Sequence, residues 1–469
     1  MLYCRPLSRC IALFLLLLLM PLFCCPPAAW AFFFGGVSIK DEKEMGRKFD
    51  VMVRASLPMV DDPEITNYVN YMLGRLTRKM PPQPFAFKAA VIRHNALNAF
   101  AVPGGYVFLF TGLMMQVERE EELAGVLAHE LAHVTQRHVA SRLERAQYLT
   151  VGSLLLAIAG VAVGGPGGGA LAMGALGGSQ SAMLNYSRLD ESEADQIGLQ
   201  FLIAAGYPPT GIVGGFKVLR QKSWMSGMSI PTYLSTHPAI GDRINSLQAR
   251  IETLSAHIRN RTQDTSRFQR VKTLLWARYG DSQAALQRFS GSDALSFMGR
   301  GMVLARLNKI NEASTAFDAA LKAAPRDPLV LREAGAFHYR KGDMRRAGGL
   351  LQQAMQLDRN DYMAAFFFAR MLDETGRQAQ AAAHYREVLR HVPEEPDVHA
   401  AYARSLGESG KTLDAYIHLA YSAIYSNDRR QAERHVKKAR ALAEKTPDRN
   451  ALNKLEDIYR ERKEVWEAD

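Results

Sequence analysis

Between Asp41 and about Met80, apolar residues return at helical spacing, Val60, Ile65, Val69, Met72 and Leu73 among them, with charges between; this predicts a helical segment. The proline-rich stretch from Pro81 to Pro84 ends it. Two runs rich in Phe, Val, Ala and Tyr follow, Phe85 to Ile92 and Ala99 to Phe110, separated by Asn and Gly turn signals, and both read as strands. A long helix is expected from Glu118 onward. Glu118, Glu120, Glu121 and Glu122 crowd its start while Arg137, His138 and Arg142 crowd its end, the distribution a helix dipole favours. No charged residue lies between Arg145 and Arg188. That stretch is rich in glycine and alanine, and the run Gly164 to Gly169 interrupts its most apolar part, Leu149 to Val163, before it reaches the length of a membrane span. Residues 146–187 therefore read either as an apolar hairpin or loop that touches a membrane or covers a cleft, or as a pair of buried helices softened by glycine.

In the last third the pattern becomes a repeat. Alanine recurs at Ala313, Ala347, Ala381 and Ala415, every 34 residues, and twelve residues before each stands a small residue, Gly301, Gly335, Ala369 and Ala403. Asn308, Gly342, Gly376 and Gly410 mark a turn between two helices, and a large residue follows each alanine by four: Phe317, Leu351, Tyr385 and Leu419. Pro325 and Pro393 close two units, and a further degenerate unit runs through Asn427, Ala432, Val436 and Ala439. This resembles the tetratricopeptide repeat, whose small residues mark where paired helices cross. The resemblance implies an α-solenoid with a concave face that binds peptides or protein segments.

Composition narrows the chemistry. The chain has 469 residues, 48% hydrophobic and 22% charged, enough for about three globular units at roughly 150 residues each, which excludes extensive disorder. Its four cysteines are Cys4, Cys10, Cys24 and Cys25, so disulfides, thiolate metal sites and cysteine catalysis are excluded from the body of the protein. They lie in a segment where Arg5 and Arg9 precede the apolar run Ile11 to Met20 and small residues follow around Ala29-Trp30-Ala31, the order of a secretory signal peptide over 1–31. Pro21, Pro26 and Pro27 count against an uncleaved anchor helix, and bulky Phe23 before Cys24 counts against a lipoprotein. The net charge is +11; cleavage after Ala31 leaves 56 basic and 47 acidic residues, or +9. Export and dispersed basic residues without a recognition motif argue against nucleic acid as a partner, leaving anionic membrane surfaces or acidic polypeptides.

Inside the long helix stands His129-Glu130-Leu131-Ala132-His133. Histidines four residues apart lie about 40° apart around a helix, so both imidazoles reach one metal, and Glu130 approaches a water on that metal. A third ligand is needed. Gln136 and Val139 stand where a longer histidine motif would need glycine and histidine, and His138, on nearly the opposite side of a straight helix from His129, reads as a solvated helix-end residue. Downstream, Ser187 and Asp190 have capping-box spacing, so a helix starts there with Glu191 and Asp195 on one face. One of these carboxylates can ligate the metal while the other accepts the spare N–H of a ligand histidine.

Together with the upstream stretch Asn98 to Gly105 and the downstream His237-Pro238, these motifs resemble the M48 family of zinc endopeptidases, of gluzincin type. The resemblance implies an α+β, predominantly helical fold: a zincin-like metallopeptidase domain with a small β-sheet over 40–262, followed by the α-solenoid of tetratricopeptide repeats over 265–469. It implies one Zn2+ per chain held by His129, His133 and Glu191, with Glu130 as the base and Asp195 orienting a ligand. By the same resemblance, Asn98, Ala99, Phe100, Gly104 and Gly105 belong to an edge strand that pairs with extended substrate. For His237 and Arg243 three roles stay open: Arg243 stabilises an oxyanion, His237 occupies the open metal position and keeps the enzyme latent, or the pair ties down a loop. The activity implied is periplasmic hydrolysis of misfolded or stalled envelope polypeptides, outer-membrane β-barrels in particular. The repeats would bind substrate or assembly machinery, and 146–187 would make peripheral membrane contact. The alternative is a chaperone or adaptor for outer-membrane protein assembly with a latent or structural metal site.

Overall fold

The computed structural model describes residues 36–60, 62–146, 186–225, 233, 236–444 and 449–467; the expected leader, and all but the ends of the uncharged 146–187 segment, lie outside them. Helix α1 (Ile39–Ser56) starts at a capping box in which Ser38 Oγ accepts from the Asp41 amide and the Asp41 carboxylate accepts from the Ser38 amide. Helix α2 (Pro63–Thr77) has its own N-cap, Asp62. The single helical segment expected from periodicity is therefore two. Pro58 and Pro63 lack amide donors, and Met59 leaves the helix to bridge Ile92.

Strands β1 (Lys88–Ile92), β2 (Ala99–Val102) and β3 (Tyr106–Phe110) form a sheet in the order β1-β3-β2, with β1 parallel and β2 antiparallel to β3. The run expected as one strand from Ala99 to Phe110 is thus a hairpin. Pro103–Gly105 makes a 3-10 turn against α1, and Gly104, at φ 81°, has no room for a Cβ, which would lie 2.8 Å from the Glu42 carbonyl oxygen. Helices α3 (Thr111–Gln116), α4 (Glu120–Thr135) and α5 (His138–Ala146) follow. The long helix expected from Glu118 to beyond Arg137 breaks because Arg137 adopts φ 55°. Its guanidinium donates to the buried Glu42 carboxylate at 2.6 Å and to the Val37 carbonyl. Helices α6 (Arg188–Ala204), α7 (Thr210–Met225), α8 (Ile240–Glu252) and the short α9 (Ala256–Arg259) complete this part.

The solenoid begins with α10 (Ser266–Tyr279) and α11 (Ser282–Arg288) and continues as antiparallel pairs: α12 (Ala294–Arg306) with α13 (Ile310–Ala323), α14 (Pro328–Arg340) with α15 (Met344–Leu357), α16 (Tyr362–Glu374) with α17 (Gln378–His391), and α18 (Pro396–Glu408) with α19 (Thr412–Tyr425). Helices α20 (Arg429–Ala443) and α21 (Asn450–Trp466) end it. The repeat marks do what their chemistry predicts. Asn308, Gly342, Gly376, Gly410 and Asn427 all take positive φ at the turns, and Gly301 leaves space for the Phe317 ring, which would lie 3.0 Å from an added Cβ.

One hydrophobic cluster runs from α2 and α4 through α10 to α14 without a break, so the repeats and the first part share a core. Charges seal the seam. The buried Lys272 ammonium donates to the Val117 carbonyl, Arg278 pairs with Asp62 and with Glu333 at 2.7 Å, and the buried Arg332 reaches Glu64 at 2.5 Å and Asp361 at 3.3 Å. The far end of the solenoid returns to α1. Asn427 Nδ2 donates to the Val51 carbonyl at 3.0 Å and Arg47 to the Glu461 carbonyl at 3.4 Å. No described helix is long and apolar enough to cross a membrane.

A buried histidine pair gives the solenoid a pH dependence. His399 Nε2 lies 2.9 Å from the Pro393 carbonyl and donates to it, so its Nδ1, 2.8 Å from His418 Nδ1, accepts. Burial lowers His399 to about 4; burial, with the charge of His399 as a second cause, lowers His418 to about 3. Both stay neutral in the folded chain while the unfolded chain takes up protons near pH 6.5, so their contribution is fully present above that pH. It falls on acidification by up to about 1.4 kcal/mol per pH unit for each histidine. Denaturant midpoints should accordingly drop between about pH 7 and pH 5, and less steeply in the double variant His399→Phe/His418→Phe. Equal drops in both proteins would rule the pair out as the cause.

Candidate active site

Helix α4 is buried almost from end to end and apolar on most sides, so it sits in the middle of the first part of the chain and not on its surface. Its first turn is held by acids: Glu122 accepts from the Glu118 amide at 2.9 Å, and Glu120 accepts from the hydroxyls of Tyr68 at 2.7 Å and Tyr207 at 3.0 Å. His129, Glu130 and His133 are fully buried. Helix α6 begins at the expected capping box, Ser187 Oγ accepting from the Asp190 amide at 3.1 Å, and crosses α4 where Gly198 meets the His129 backbone. This crossing carries Glu191 and Asp195 to the histidines.

The ligating atoms of His129, His133, Glu191 and His237 lie within 4.8 Å of one another. His129 Nε2 is 3.0 Å from His133 Nε2 and 3.4 Å from His237 Nδ1; Glu191 Oε1 is 3.4 Å from His133 Nε2 and 2.9 Å from His237 Nδ1. A tetrahedral ion with bonds of about 2.0–2.1 Å has donor–donor edges of roughly 3.3–3.4 Å, so this donor set fits a zinc-sized cation. Protonation agrees. Burial lowers His129 and takes His133 well below its usual range, which keeps both neutral. Burial would raise Glu191, but the charges of His237 and Arg243 outweigh it and hold the carboxyl well below the usual range. His129 Nδ1 faces Asp195 at 3.1 Å, which leaves Nε2 free to donate electrons to a cation.

Glu130 differs from the other carboxylates. Neither oxygen has a hydrogen-bond partner, the nearest histidine nitrogen being His237 Nε2 at 3.8 Å, and burial pushes its pKa up to about 7 against the pull of His237. Arg243, buried on α8, donates twice to Asp195 at 2.7 and 2.8 Å, pairs with Glu191 and lies over the Phe216 ring at 4.6 Å. Its Nη2 also lies 3.4 Å from His129 Nδ1 and 3.3 Å from Nε2, so the guanidinium braces both carboxylates and the histidine ring, the geometry of a residue that orients them. His237 stacks on Tyr233 at 4.3 Å. Strand β2 lies at the edge of the sheet beside α4, with Asn98 buried just before it and Ala99 and Phe100 in it; Gly104 and Gly105 lie in the hairpin turn against α1 and outside the strand.

The sequence reading misplaced His138 and passed over Tyr186, Tyr233 and Phe216. His138 is buried, not solvated, with Nδ1 2.9 Å from His133 Nδ1. Tyr186, one residue before the predicted cap, stacks on the His133 ring at 3.7 Å. Its position next to the cap was the only available signal.

Residues 61–251 match the model of Peptidase family M48. The chain is 32% identical over 257 residues to the β-barrel assembly-enhancing protease of Yersinia pestis, covering 53% of this chain and 51% of that one. The protein of the same name in Escherichia coli strain K12 is 30% identical over 312 residues, covering 62% of this chain and 61% of that one. The chain thus spans between half and two thirds of the length of these two relatives. A solved tetratricopeptide protein, YrrB, described as having an unusual peptide-binding site, aligns with 37% of this chain and 92% of its own at 22% identity and a TM-score of 0.30.

Proposed function

We propose that this chain is an exported, periplasmic, zinc-dependent endopeptidase that hydrolyses misfolded or stalled envelope polypeptides, outer-membrane β-barrel proteins among them. The observation that carries the reading is the buried donor set with the unpartnered Glu130 carboxylate beside it. His129, His133 and Glu191 would hold the ion, Asp195 would fix His129, and Arg243 would fix both carboxylates. A zinc ion held there supplies Lewis acidity and lowers the pKa of a water to about 7. Glu130 takes the proton of the attacking water and returns it to the leaving amine. The edge of β2 offers main-chain groups to an extended substrate. The cleft of about 450 Å³ between α2 and the repeats, walled by Tyr68, Arg270, Arg332, Asp361 and Tyr362, suits a second segment of the same polypeptide or of an assembly partner. The names of the relatives support this substrate class, and the leader pattern supports the location.

His237 supplies a fourth donor, so the resting site is closed, and the ring must swing aside for a substrate carbonyl to enter. That closure also favours a second reading, in which the repeats act as a chaperone or adaptor while the peptidase is latent. The purified chain should bind one equivalent of zinc and cleave casein in a chelator-sensitive way, and His237→Ala should raise the rate. A chain that binds no zinc, or cleavage indifferent to chelator, would overturn the enzyme reading.

A further inference from the structure

His133 has no carboxylate beside its Nδ1, unlike His129, which has Asp195. Its Nδ1 meets His138 Nδ1 at 2.9 Å, and on the far side of that second ring Nε2 lies 3.3 Å from Glu193 Oε2 and 4.0 Å from Asp190 Oδ1. A neutral imidazole carries one N–H. Two carboxylates on the Nε2 side of His138 call for that N–H to be at Nε2, which leaves its Nδ1 bare and able only to accept. His133 must then carry its proton on Nδ1, so that its Nε2 presents a lone pair toward His129 Nε2 and Glu191 Oε1, at 3.0 and 3.4 Å. With the opposite tautomers, His133 would point an N–H into the donor set and could not ligate.

We infer that His138, backed by Glu193, is a positioning residue that fixes the tautomer and ring orientation of His133 for metal binding. The inference rests on the metal-site reading above. It also explains the helix break: the left-handed turn at Arg137, tied to the buried Glu42, brings His138 back over His133 when a continuous helix would carry it away. The relay His133–His138–Glu193 does for one ligand what Asp195 does directly for the other.

The test is zinc affinity, measured by competition with a chromophoric chelator on the full chain. His138→Phe should weaken zinc binding about 10- to 100-fold, the usual cost of losing such a partner. His138→Asn, whose side-chain oxygen replaces the Nδ1 acceptor, should restore affinity to within a few-fold of the parent. A purely structural role would not separate Asn from Phe. Zinc binding by His138→Phe within twofold of the parent, or an Asn variant no better than Phe, overturns the inference while leaving the metal site standing; a parent chain that binds no zinc overturns both. Should the Phe variant not fold, Glu193→Ala on the exposed side of the relay decides in its place: weaker binding supports the relay and unchanged binding sinks it.

Discussion

Replacing Glu130 with Gln is expected to lower hydrolysis by about 10²- to 10⁴-fold, the range that loss of a general base costs, while zinc stays bound at one equivalent. Gln keeps the size of the side chain at a position with no exposed surface, so the packing around it is kept. What disappears is the ability to take a proton. Glu130 is suited to that task because burial holds its pKa near neutrality, where a group both accepts and returns a proton readily. Casein turnover and zinc content measured on the same preparation check the result. A variant that cleaves at the parent rate would end the mechanism. A variant that has lost cleavage but still supports envelope assembly in cells would favour the chaperone reading.

The second large effect is expected at a residue with no functional group of its own. Gly198→Val should cost on the order of 10²-fold in hydrolysis and weaken zinc binding, since a displacement of about 1 Å in a reacting constellation has that scale of consequence. An added Cβ at Gly198 would lie 3.0 Å from His129 Cα and 3.1 Å from the Ala128 carbonyl oxygen, both backbone of the histidine helix and unable to give way like a side chain. Valine adds two methyl groups to that Cβ. The two helices must part, and Glu191 moves off the histidines. Chelator competition together with far-ultraviolet circular dichroism separates this from unfolding. Parent-like zinc affinity in a folded Gly198→Val protein would show that the crossing does not set the site.

These two residues also mark how far the sequence could be read. Glu130 is legible because the paired histidines and the base lie within one helical turn, where spacing alone fixes which side chains share a face. The helix that brings Glu191 and Asp195 was legible from its cap, and the repeats from a 34-residue period. Gly198 was silent: a glycine inside a helix looks the same whether it faces water or another backbone, and only tertiary packing distinguishes the two. Arg137 was misleading. Its charge fitted the end of a continuous helix, yet it is the residue that breaks the helix, in a conformation usually left to glycine or asparagine, held by the distant Glu42. His138 was misplaced for that reason, since its angular position was reckoned on a helix that ends at Thr135. The β2–β3 turn had a local signal, Pro103-Gly104-Gly105, that the hydrophobic run around it obscured.

The solenoid grips the first part of the chain at two places, through the ionic seam around Arg278 and Arg332 and through Asn427 and Arg47 at the opposite end. A free repeat array behaves as a spring, because each repeat meets only its neighbours and small rotations add along the stack. Pinned at both ends, this one behaves as a bow strung on the first part of the chain. It cannot flatten or tighten by small increments along its length without loading one of its two anchors, so any pull on the repeats is felt at α1 or α2. Helix α1 holds Glu42, the partner of Arg137 at the helix break beside His129 and His133, so tension on that anchor has a direct mechanical path to α4.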